Sequence, residues 1–501
     1  MLPRRAFQAG LDSKPLWGYP TGTGRTGHTT HERRCAATQN GSRKDRLVGR
    51  SLHLHPGMAF SPLVEALARA FLRDEPDVEQ LVARASHVLG EKWRWLRPLA
   101  KRYVADFRKR RPRRREVVSF LRHDRGLLRA YEKYRHEIHI VTFFPDTQEM
   151  RPVAAASNWD VPAIRSEAEL ASWLGLGLEL NELYWFADVA GFGARIGAPL
   201  KTRHYSYRIL TKRSGNIRLI EAPKSRLKKL QRKILADILE RIPTHDSAHG
   251  FVKGRSIKTF SSHHSNKHVV LKLDLQDFFP SFHAARIQAL FRTIGYPERV
   301  ADLLAGLCCT STPRELWKQV PFDVNSQQWR ESRDLYFRTH LPQGAPTSPA
   351  LANICCYRLD CRLAGLAKSV GAAYTRYADD LAFSGDENFA RGIERFSNHV
   401  AAILLDEGFS VNFHKTRVMR QGVRQQLTGL VVNRHANLAR VEYDRLKAIL
   451  TNCARLGPQT QNRDALPHWR QHLDGRVGFV EMVNSSRGKK LREIFDRVRW
   501  E

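Results

Sequence analysis

The amino-acid sequence predicts an α+β fold with a purely helical region at its N-terminal end. Between residues 61 and 140, apolar side chains recur at three- and four-residue steps, the spacing of amphipathic helices. Ser61 and Pro62 are expected as the N-cap and first turn of the first helix, and Pro98 as a kink or fresh start. From about residue 205 onward, short runs rich in β-branched and aromatic residues alternate with further helical segments. Strands and helices thus both contribute to this part of the chain. With 501 residues and 42% hydrophobic content, the chain can build a sizeable core in roughly two to four domains.

The charge balance points to a polyanionic partner. There are 83 Lys and Arg against 50 Asp and Glu, which gives a formal net charge of +33 and a pI near 10.3. Such a chain gains free energy from counterion release along a phosphate backbone, so nucleic acid is the predicted partner. An anionic membrane surface would require a basic amphipathic helix or a lipid anchor, and the sequence has no long apolar run that could span a membrane. No membrane partner is expected.

The cysteines do not indicate a disulfide framework. Seven cysteines in a chain of this size fit a reducing cytosol. Cys308, Cys309, Cys355, Cys356 and Cys361 lack the paired spacing of zinc sites, and their apolar neighbours predict buried small hydrophobes rather than metal ligands.

Two adjacent carboxylates, Asp379 and Asp380, lie within the aromatic run at residues 374–384. The flanking residues have strand character, and the break at Ala378 predicts a β-hairpin with the acids at its tip. Two like charges so close raise at least one pKa unless a cation neutralises them. Mg²⁺ suits such a site because it binds carboxylate oxygens and keeps positions for water and phosphate. The alternative is a solvated turn in which Asp simply suits the backbone.

A third carboxylate, Asp274, comes near the end of the apolar strand predicted at residues 269–275. A strand ending in one acid beside a hairpin tipped by two would suit a pair of divalent ions roughly 3.5 to 4 Å apart. In such a site one ion activates a 3′-hydroxyl and the other steadies the leaving pyrophosphate. The three acids therefore predict a polymerase-type metal site.

Seven sequence blocks resemble, in the expected order, the signature blocks of reverse transcriptases of the bacterial retron type. They are GNIRLIEAP at 215–223, AHGFVKGRS at 248–256, DLQDFF at 274–279, LPQGAPTSP at 341–349, YADD at 377–380, GFSVNFHKT at 408–416 and LTGLVVN at 427–433. The resemblance implies a right-hand polymerase with fingers, palm and thumb. It also implies RNA-directed DNA synthesis with Asp274, Asp379 and Asp380 as catalytic ligands of two Mg²⁺ ions.

The domain boundaries follow from the same patterns. We expect fingers and palm over residues 166–432, with a strand at residues 427–433, and a thumb over residues 433–501 that is helical from residue 443 onward. A linker at residues 146–165 precedes them, and a basic helical extension occupies residues 58–145. Residues 1–57 lack an apolar period and are expected to be disordered, or to precede a true start at Met58, rather than to be an organellar transit peptide.

Several further residues are predicted to bind the nucleotide. A guanidinium fork binds phosphate bidentately, so Arg218 on the return strand of a hairpin is assigned to the triphosphate, with an ordinary surface arginine as the alternative. Backbone N–H groups of Asp277 and Phe278 would hold phosphate oxygens in a nest. By resemblance, Phe279 excludes a 2′-hydroxyl, unless it is an ordinary core residue, and Gln343 packs against the nucleotide. By the same resemblance, Lys415 lies near the leaving pyrophosphate.

The predicted RNA contacts are distributed along the chain. They comprise Lys228 and Lys229 on a basic amphipathic helix, Arg255 in a glycine-containing loop, His264, and Arg476 in the thumb. His264 is the one residue retained from the family's Asn-Ala-x-x-His block. The basic run at residues 108–115 is a further RNA-contacting candidate, interrupted by Pro112.

The resemblance also implies partners. They are a structured non-coding RNA that serves as template and primer source, the RNA–DNA hybrid, dNTPs and an effector protein, in the bacterial cytoplasm. The product would be branched RNA-linked single-stranded DNA with a role in antiphage defence. Two alternatives stay open at this stage. A group II intron maturase is disfavoured by the short segment after Asn433, and a catalytically inactive RNA-binding polymerase fold by the intact acids.

Overall fold

The computed structural model describes residues 56–73, 76–107, 112–144, 149–175, 180–189, 203–211, 217–319 and 333–500. The disorder predicted before residue 56, the basic run at 108–111 and the hairpin tip at 212–216 lie outside the described residues.

The N-terminal region is helical, as predicted. Its helices are α1 (Pro56–Leu72), α2 (Val78–Leu89), α3 (Leu96–Phe107), α4 (Arg114–His123) and α5 (Arg125–Tyr134). Their apolar faces enclose a core of their own around buried residues such as Leu67, Leu99 and Leu121. This core is separate from the one that surrounds the sheets.

The predicted start of the first helix is wrong. Sequence reasoning placed Ser61 and Pro62 at the N-cap and first turn, but α1 begins at Pro56 and Pro62 lies inside it. Pro56 fits a first turn, where a missing N–H costs nothing, whereas Pro62 removes one bond from the helix interior. The other proline predictions are confirmed, since Pro98 lies in the first turn of α3 and Pro112 lies between α3 and α4.

The predicted linker packs against later parts of the chain. Arg151 and Val153 donate backbone hydrogen bonds to Gly295 and Thr293 at 2.8 and 3.1 Å, and Ile164 is buried in the main core. Helix α6 (Glu167–Leu174) follows, with Ser166 as its N-cap, and then α7 (Leu180–Ala187).

The predicted basic hairpin consists of β1 (Tyr205–Thr211) and β2 (Ile217–Pro223), paired antiparallel with Tyr205 opposite Pro223. The amphipathic helix predicted next is α8 (Ser225–Asp237), which buries Leu227, Leu230 and Ile234 and exposes Lys228 and Lys229. Sequence pattern alone located both elements correctly.

The central sheet is antiparallel with strand order β4-β5-β3-β6. Its strands are β3 (Val269–Asp274), β4 (Ala373–Tyr377), β5 (Asp380–Gly385) and β6 (Arg417–Arg420). The helices in this part of the chain are α9 (Ile257–Ser262), α10 (Ala284–Ile294), α11 (Glu298–Cys308), α12 (Ser348–Cys355), α13 (Tyr357–Ser369), α14 (Glu387–Arg391) and α15 (Ile393–Asp406). Strands β3 and β5 are buried along nearly their whole length because neighbours cover both edges and both faces.

The C-terminal part contains a small sheet and three helices. Residues 427–433, expected as strand, are divided by a turn at Thr428 and Gly429, both with positive φ, into β7 (Gln426–Leu427) and β8 (Leu430–Val431). Strand β9 (Asn437–Leu438) completes this sheet. The predicted C-terminal helices are α16 (Arg440–Leu456), α17 (Trp469–Val483) and α18 (Ser485–Asp496), and they share an apolar cluster.

The observed mixture of helices and antiparallel strands confirms the predicted α+β class. Within the residues that the structure describes, no helix has both the length and the apolar character needed to cross a membrane.

Candidate active site

The three acids meet at one end of the central sheet. Asp274, the last residue of β3, is directly opposite Asp380, the first residue of β5. Asp379 lies in the two-residue turn between β4 and β5, after Ala378, whose φ is 55°. The backbone carbonyl of Asp379 accepts a 2.9 Å hydrogen bond from Leu275 N–H, which ties the turn to the end of β3. The predicted hairpin and its relation to Asp274 are therefore confirmed.

Burial and like charge act together on these carboxylates. Burial, followed by the charges of Asp380 and Asp274, raises the pKa of Asp379 to about 6. Burial also raises the pKa of Asp380, against the opposing effect of Lys272, whose Nζ lies 2.9 Å from the carboxylate. Two adjacent acids with raised pKa values at a sheet end form an electrostatic environment that favours a bound cation.

Two lysines supply positive charge to the acids. Lys415 Nζ lies 3.0 Å from each carboxylate oxygen of Asp274. Asn412 donates to the same carboxylate from Nδ2 at 3.2 Å and to the Asp274 carbonyl from its backbone N–H at 2.8 Å. Sequence reasoning assigned Lys415 to a leaving pyrophosphate; here it is paired with Asp274. Because its side chain is 54% exposed, it has room to move toward a bound phosphate.

The donor chemistry suits a divalent cation. Carboxylate oxygens are the ligands that hard divalent ions prefer. Among the described residues, however, no group of three or more His, Cys, Asp or Glu side chains is already arranged as a metal cage. Asp274 and Asp380 are instead each paired with a lysine. Metal binding would thus exchange lysine contacts for metal contacts at the same oxygens.

Asp379→Asn should stabilise the metal-free protein at alkaline pH. Because the folded-state pKa is raised, the contribution of Asp379 to stability is present below about pH 4 and is lost as the pH rises through about 6. At pH 8 the substitution removes a buried, repelled charge, so we expect a melting temperature roughly 1 to 3 °C higher. The measurement is thermal unfolding in chelator at pH 8 and pH 5. A gain that is larger at pH 5, or a loss at pH 8, would contradict the electrostatic account.

A cavity of about 300 Å³ lies beside Phe279. Its lining includes Lys228 and Arg232 of α8, Phe251, and the segment from Gly344 to Pro349. Phe279 borders this space, whereas the adjacent Phe278 is buried and its ring lies 5.1 Å from that of Phe282. The structure thus divides the aromatic pair, with Phe278 in the core and Phe279 at the cavity.

Among the described residues that line this cavity, Phe279 is the one that belongs to the predicted nucleotide pocket. Arg218 is exposed on β2, opposite Leu210, and does not line the cavity. Asp277 has a φ of 45°, a left-handed backbone of the kind found in anion-binding nests. Gln343 is half-buried, and its carbonyl accepts a 2.9 Å hydrogen bond from Glu221 N–H on β2.

Glu221 and His340 form a buried pair that sequence reasoning missed. Their side chains are fully buried, with His340 Nε2 2.9 Å from the carboxylate, and Thr312 donates to the other carboxylate oxygen at 2.7 Å. Burial alone would lower the pKa of His340, but the carboxylate raises it. The pair braces the β2 hairpin against the segment that carries Gln343. Glu221 alternates with Leu219 and Pro223 on the buried face of β2, and that alternation was the available signal.

One predicted RNA contact, His264, is wrong, and a second, Arg255, also has a role within its own loop. His264 is fully buried, and its ring nitrogens lie 2.7 Å from the hydroxyls of Ser384 and Thr375, so it fastens α9 to the sheet rather than facing RNA. Arg255 directs its guanidinium to the carbonyls of Asp246 and Ala248 at 2.5 and 2.7 Å, which braces its own loop.

The other predicted RNA contacts remain accessible. Lys228 and Lys229 are exposed on α8, and Arg476 is half-buried on α17.

Of the cysteines predicted to be buried, Cys361 is exposed, while Cys308, Cys309 and Cys356 are buried and Cys355 is partly buried.

Comparison with known proteins places this arrangement in a family. A family model described as reverse transcriptase (RNA-dependent DNA polymerase) matches residues 210–441, in agreement with the right-hand polymerase fold. The retron Mx65 reverse transcriptase of Myxococcus xanthus is 41% identical over 346 residues, which is 68% of this chain and 73% of the relative. The retron Mx162 enzyme of the same organism is 38% identical over 63% of each chain, and the retron Ec86 enzyme of Escherichia coli is 31% identical over 58% of this chain and 80% of its own. The chain therefore belongs to the retron reverse transcriptases, which are RNA-directed DNA polymerases.

Proposed function

We propose that this enzyme copies a structured partner RNA, which serves as template and primer source, into branched RNA-linked single-stranded DNA in the bacterial cytoplasm. The observation that carries the proposal is the register of the central sheet, which brings Asp274 opposite Asp380 beside the Asp379 turn. Retron enzymes at 41% and 31% identity support the choice of template class. A role in antiphage defence, with an effector protein as a further partner, belongs to the same proposal.

Reverse transcriptases use divalent metal ions, and we assign Mg²⁺, as two ions, to Asp274, Asp379 and Asp380. When bound, the ions activate a 3′-hydroxyl and stabilise the charge that develops on the phosphates. The chain's own side chains hold and balance this site. Lys415 lies beside Asp274 and Lys272 beside Asp380, so the two lysines compensate part of the negative charge of the site.

The pocket residues are assigned to the incoming dNTP. Phe279 lies at the cavity wall, where an aromatic ring restricts the space for a 2′-hydroxyl. The backbone of Asp277 and Phe278 would contact phosphate oxygens, and Gln343 the sugar and base. Arg218 is exposed on its hairpin, where it can reach a phosphate from the fingers side.

The RNA-binding part of the proposal rests on charge and exposure. Lys228 and Lys229 are exposed on α8, and Lys228 and Arg232 of this helix line the cavity. Arg476 lies on the thumb. A net charge of +33 supplies long-range attraction to RNA and a strong salt dependence of binding.

Sequencing nucleic acid that co-purifies with the protein tests the template class. The proposed function predicts a single DNA species joined to RNA, which loses its RNA part on ribonuclease treatment. The control is the Asp379→Ala protein, which should carry the RNA without attached DNA. Recovery of intron RNA would favour a maturase, and RNA without DNA from the unmodified enzyme would favour an inactive binding protein.

Phe279→Val should relax the choice of sugar. Removing the ring opens the cavity wall where a 2′-hydroxyl would project, so we expect the ratio of kcat/KM for rNTP to that for dNTP to rise roughly 10-fold or more. The measurement is single-nucleotide incorporation with each substrate. Phe251→Val, at another aromatic residue lining the same cavity, is the matched control and should leave the ratio unchanged. An unchanged ratio for Phe279→Val would remove this residue from sugar selection.

A further inference from the structure

Arg376 is a fully buried arginine on β4, three residues before Asp379. Its guanidinium forms a bidentate pair with Asp360 of α13, with Nε 2.8 Å from Oδ1 and Nη2 2.7 Å from Oδ2. Both side chains are 0% exposed. Replacing a buried ion pair by apolar residues is often neutral or stabilising, so overall stability alone does not account for the pair. The contacts of the remaining guanidinium nitrogen, Nη1, indicate a role for the pair.

The third guanidinium nitrogen faces the catalytic turn. Arg376 Nη1 donates to the Ala378 carbonyl at 3.3 Å and to Asn353 Oδ1 at 2.9 Å. Ala378 has the left-handed φ of 55° and directly precedes Asp379. A non-glycine residue in this conformation costs free energy and persists only where its surroundings hold it. The hydrogen bond from the Arg376 guanidinium to the Ala378 carbonyl stabilises this backbone conformation.

The same arginine also fixes the loop that precedes α9. Its backbone N–H donates to the Ser247 carbonyl, and its carbonyl accepts from His249 N–H, both at 2.7 Å. Asn353 extends the link, because its Nδ2 donates to the Gly250 carbonyl at 2.7 Å. The next residue, Phe251, lines the cavity beside Phe279. The Arg376 side chain thus contacts the turn that carries Asp379. Through Asn353 it is also linked to the loop that carries Phe251, one of the residues lining the cavity.

We propose that Arg376 is a positioning residue for DNA synthesis. With Asp360 as its anchor and Asn353 as its link, it holds the Ala378–Asp379 turn and the Ser247–Phe251 loop at a fixed separation. Asp379 then stays in register with Asp274 and Asp380 when the lysine contacts give way to metal. Arg376 itself does not touch substrate, and it acts through the backbone carbonyl of Ala378.

The test compares Arg376→Lys with Tyr374→Phe. Lysine keeps the positive charge opposite Asp360 but cannot form the fork and reach Asn353 and Ala378 together. The matched control removes the Tyr374 hydroxyl, which donates to the same Asp360 oxygen at 2.8 Å and contacts neither turn nor loop. For each variant we would measure kcat, KM for dNTP, the divalent ion concentration at half-maximal rate, and the melting temperature.

For Arg376→Lys we expect kcat to fall roughly 100-fold, KM for dNTP to change less than about threefold, and the ion requirement to rise several-fold. Tyr374→Phe should lower the melting temperature while kcat stays within about threefold of the parent. Asn353→Ala removes the hydrogen bonds that join Arg376 to the Gly250 carbonyl and leaves the Arg376–Asp360 ion pair in place, so it should lower kcat by roughly tenfold. This variant tests the proposal if Arg376→Lys does not fold. An Arg376→Lys or Asn353→Ala protein that folds with unchanged kcat and ion requirement would overturn the proposal. So would loss of activity in proportion to melting temperature across all three variants.

Discussion

Asp379→Asn should abolish DNA synthesis in a protein that is folded and, at pH 8, more stable than its parent. The substitution removes a carboxylate at the point where Asp274 and Asp380 converge, and with it negative charge that the proposed function assigns to holding a divalent ion. Loss of several kcal/mol of transition-state stabilisation corresponds to a rate at least about 1,000-fold lower. The measurement is single-nucleotide extension of a primed RNA template at saturating dNTP and divalent ion.

The control for this prediction is Asp464→Asn, which removes an exposed carboxylate in the connection between α16 and α17. It should leave the rate within about twofold of the parent, because exposed charges far from other groups contribute little. Substantial synthesis by Asp379→Asn would separate the acid cluster from catalysis and would leave only an RNA-binding role for the fold.

Gly250→Ala is expected to lower the rate of DNA synthesis on the same scale as Arg376→Lys. A Cβ at this position would lie 2.6 Å from Ala378 N and 3.1 Å from Tyr377 C. Both are backbone atoms of the hairpin that carries Asp379, so the contact cannot be relieved by rotating a side chain. The turn must shift, and a displacement of about 1 Å at reacting groups can cost roughly 100-fold in rate. We expect kcat to fall on that scale, measured by single-turnover extension.

A matched glycine in α13 provides the comparison. Gly365 lies within the helix, and a Cβ added there would meet no heavy atom within 4 Å outside the backbone of its own helix. Gly365→Ala should keep full activity and raise the free energy of unfolding by up to about 1 kcal/mol, since alanine favours the helix. If Gly250→Ala kept kcat near that of the parent, the close approach of loop and turn would have no role in setting the rate.

Much of the site could be predicted because its signals are local. Asp379 and Asp380 are adjacent in a run of strand-forming residues, and Asp274 follows directly on a buried strand. A short hairpin leaves little choice about where its tip lies. The family blocks then fixed the order of the elements, and the observed strand register agrees with them.

The residues that escaped prediction depend on partners distant in sequence. Arg376 has an ordinary alternating position in a strand, and nothing near it indicates a pair with Asp360 of α13. His264 was assigned to RNA because of its motif, but the hydroxyls of Ser384 and Thr375, 120 and 111 residues away along the chain, hold it in the interior. Tertiary packing, rather than local pattern, decides whether a polar side chain faces solvent.

The strand order of the central sheet also bears on self-association. Exposed strand edges offer unpaired N–H and C=O groups to other chains and so invite aggregation. Both acid-bearing strands, β3 and β5, are interior, and the outer side of β4 is bonded at Arg376 to the 247–249 segment. The other border, β6, spans four residues and begins and ends with an arginine, Arg417 and Arg420. Asp274 and Asp380 thus lie on strands whose two edges are already paired, while a short, charged border strand discourages fibre-like stacking.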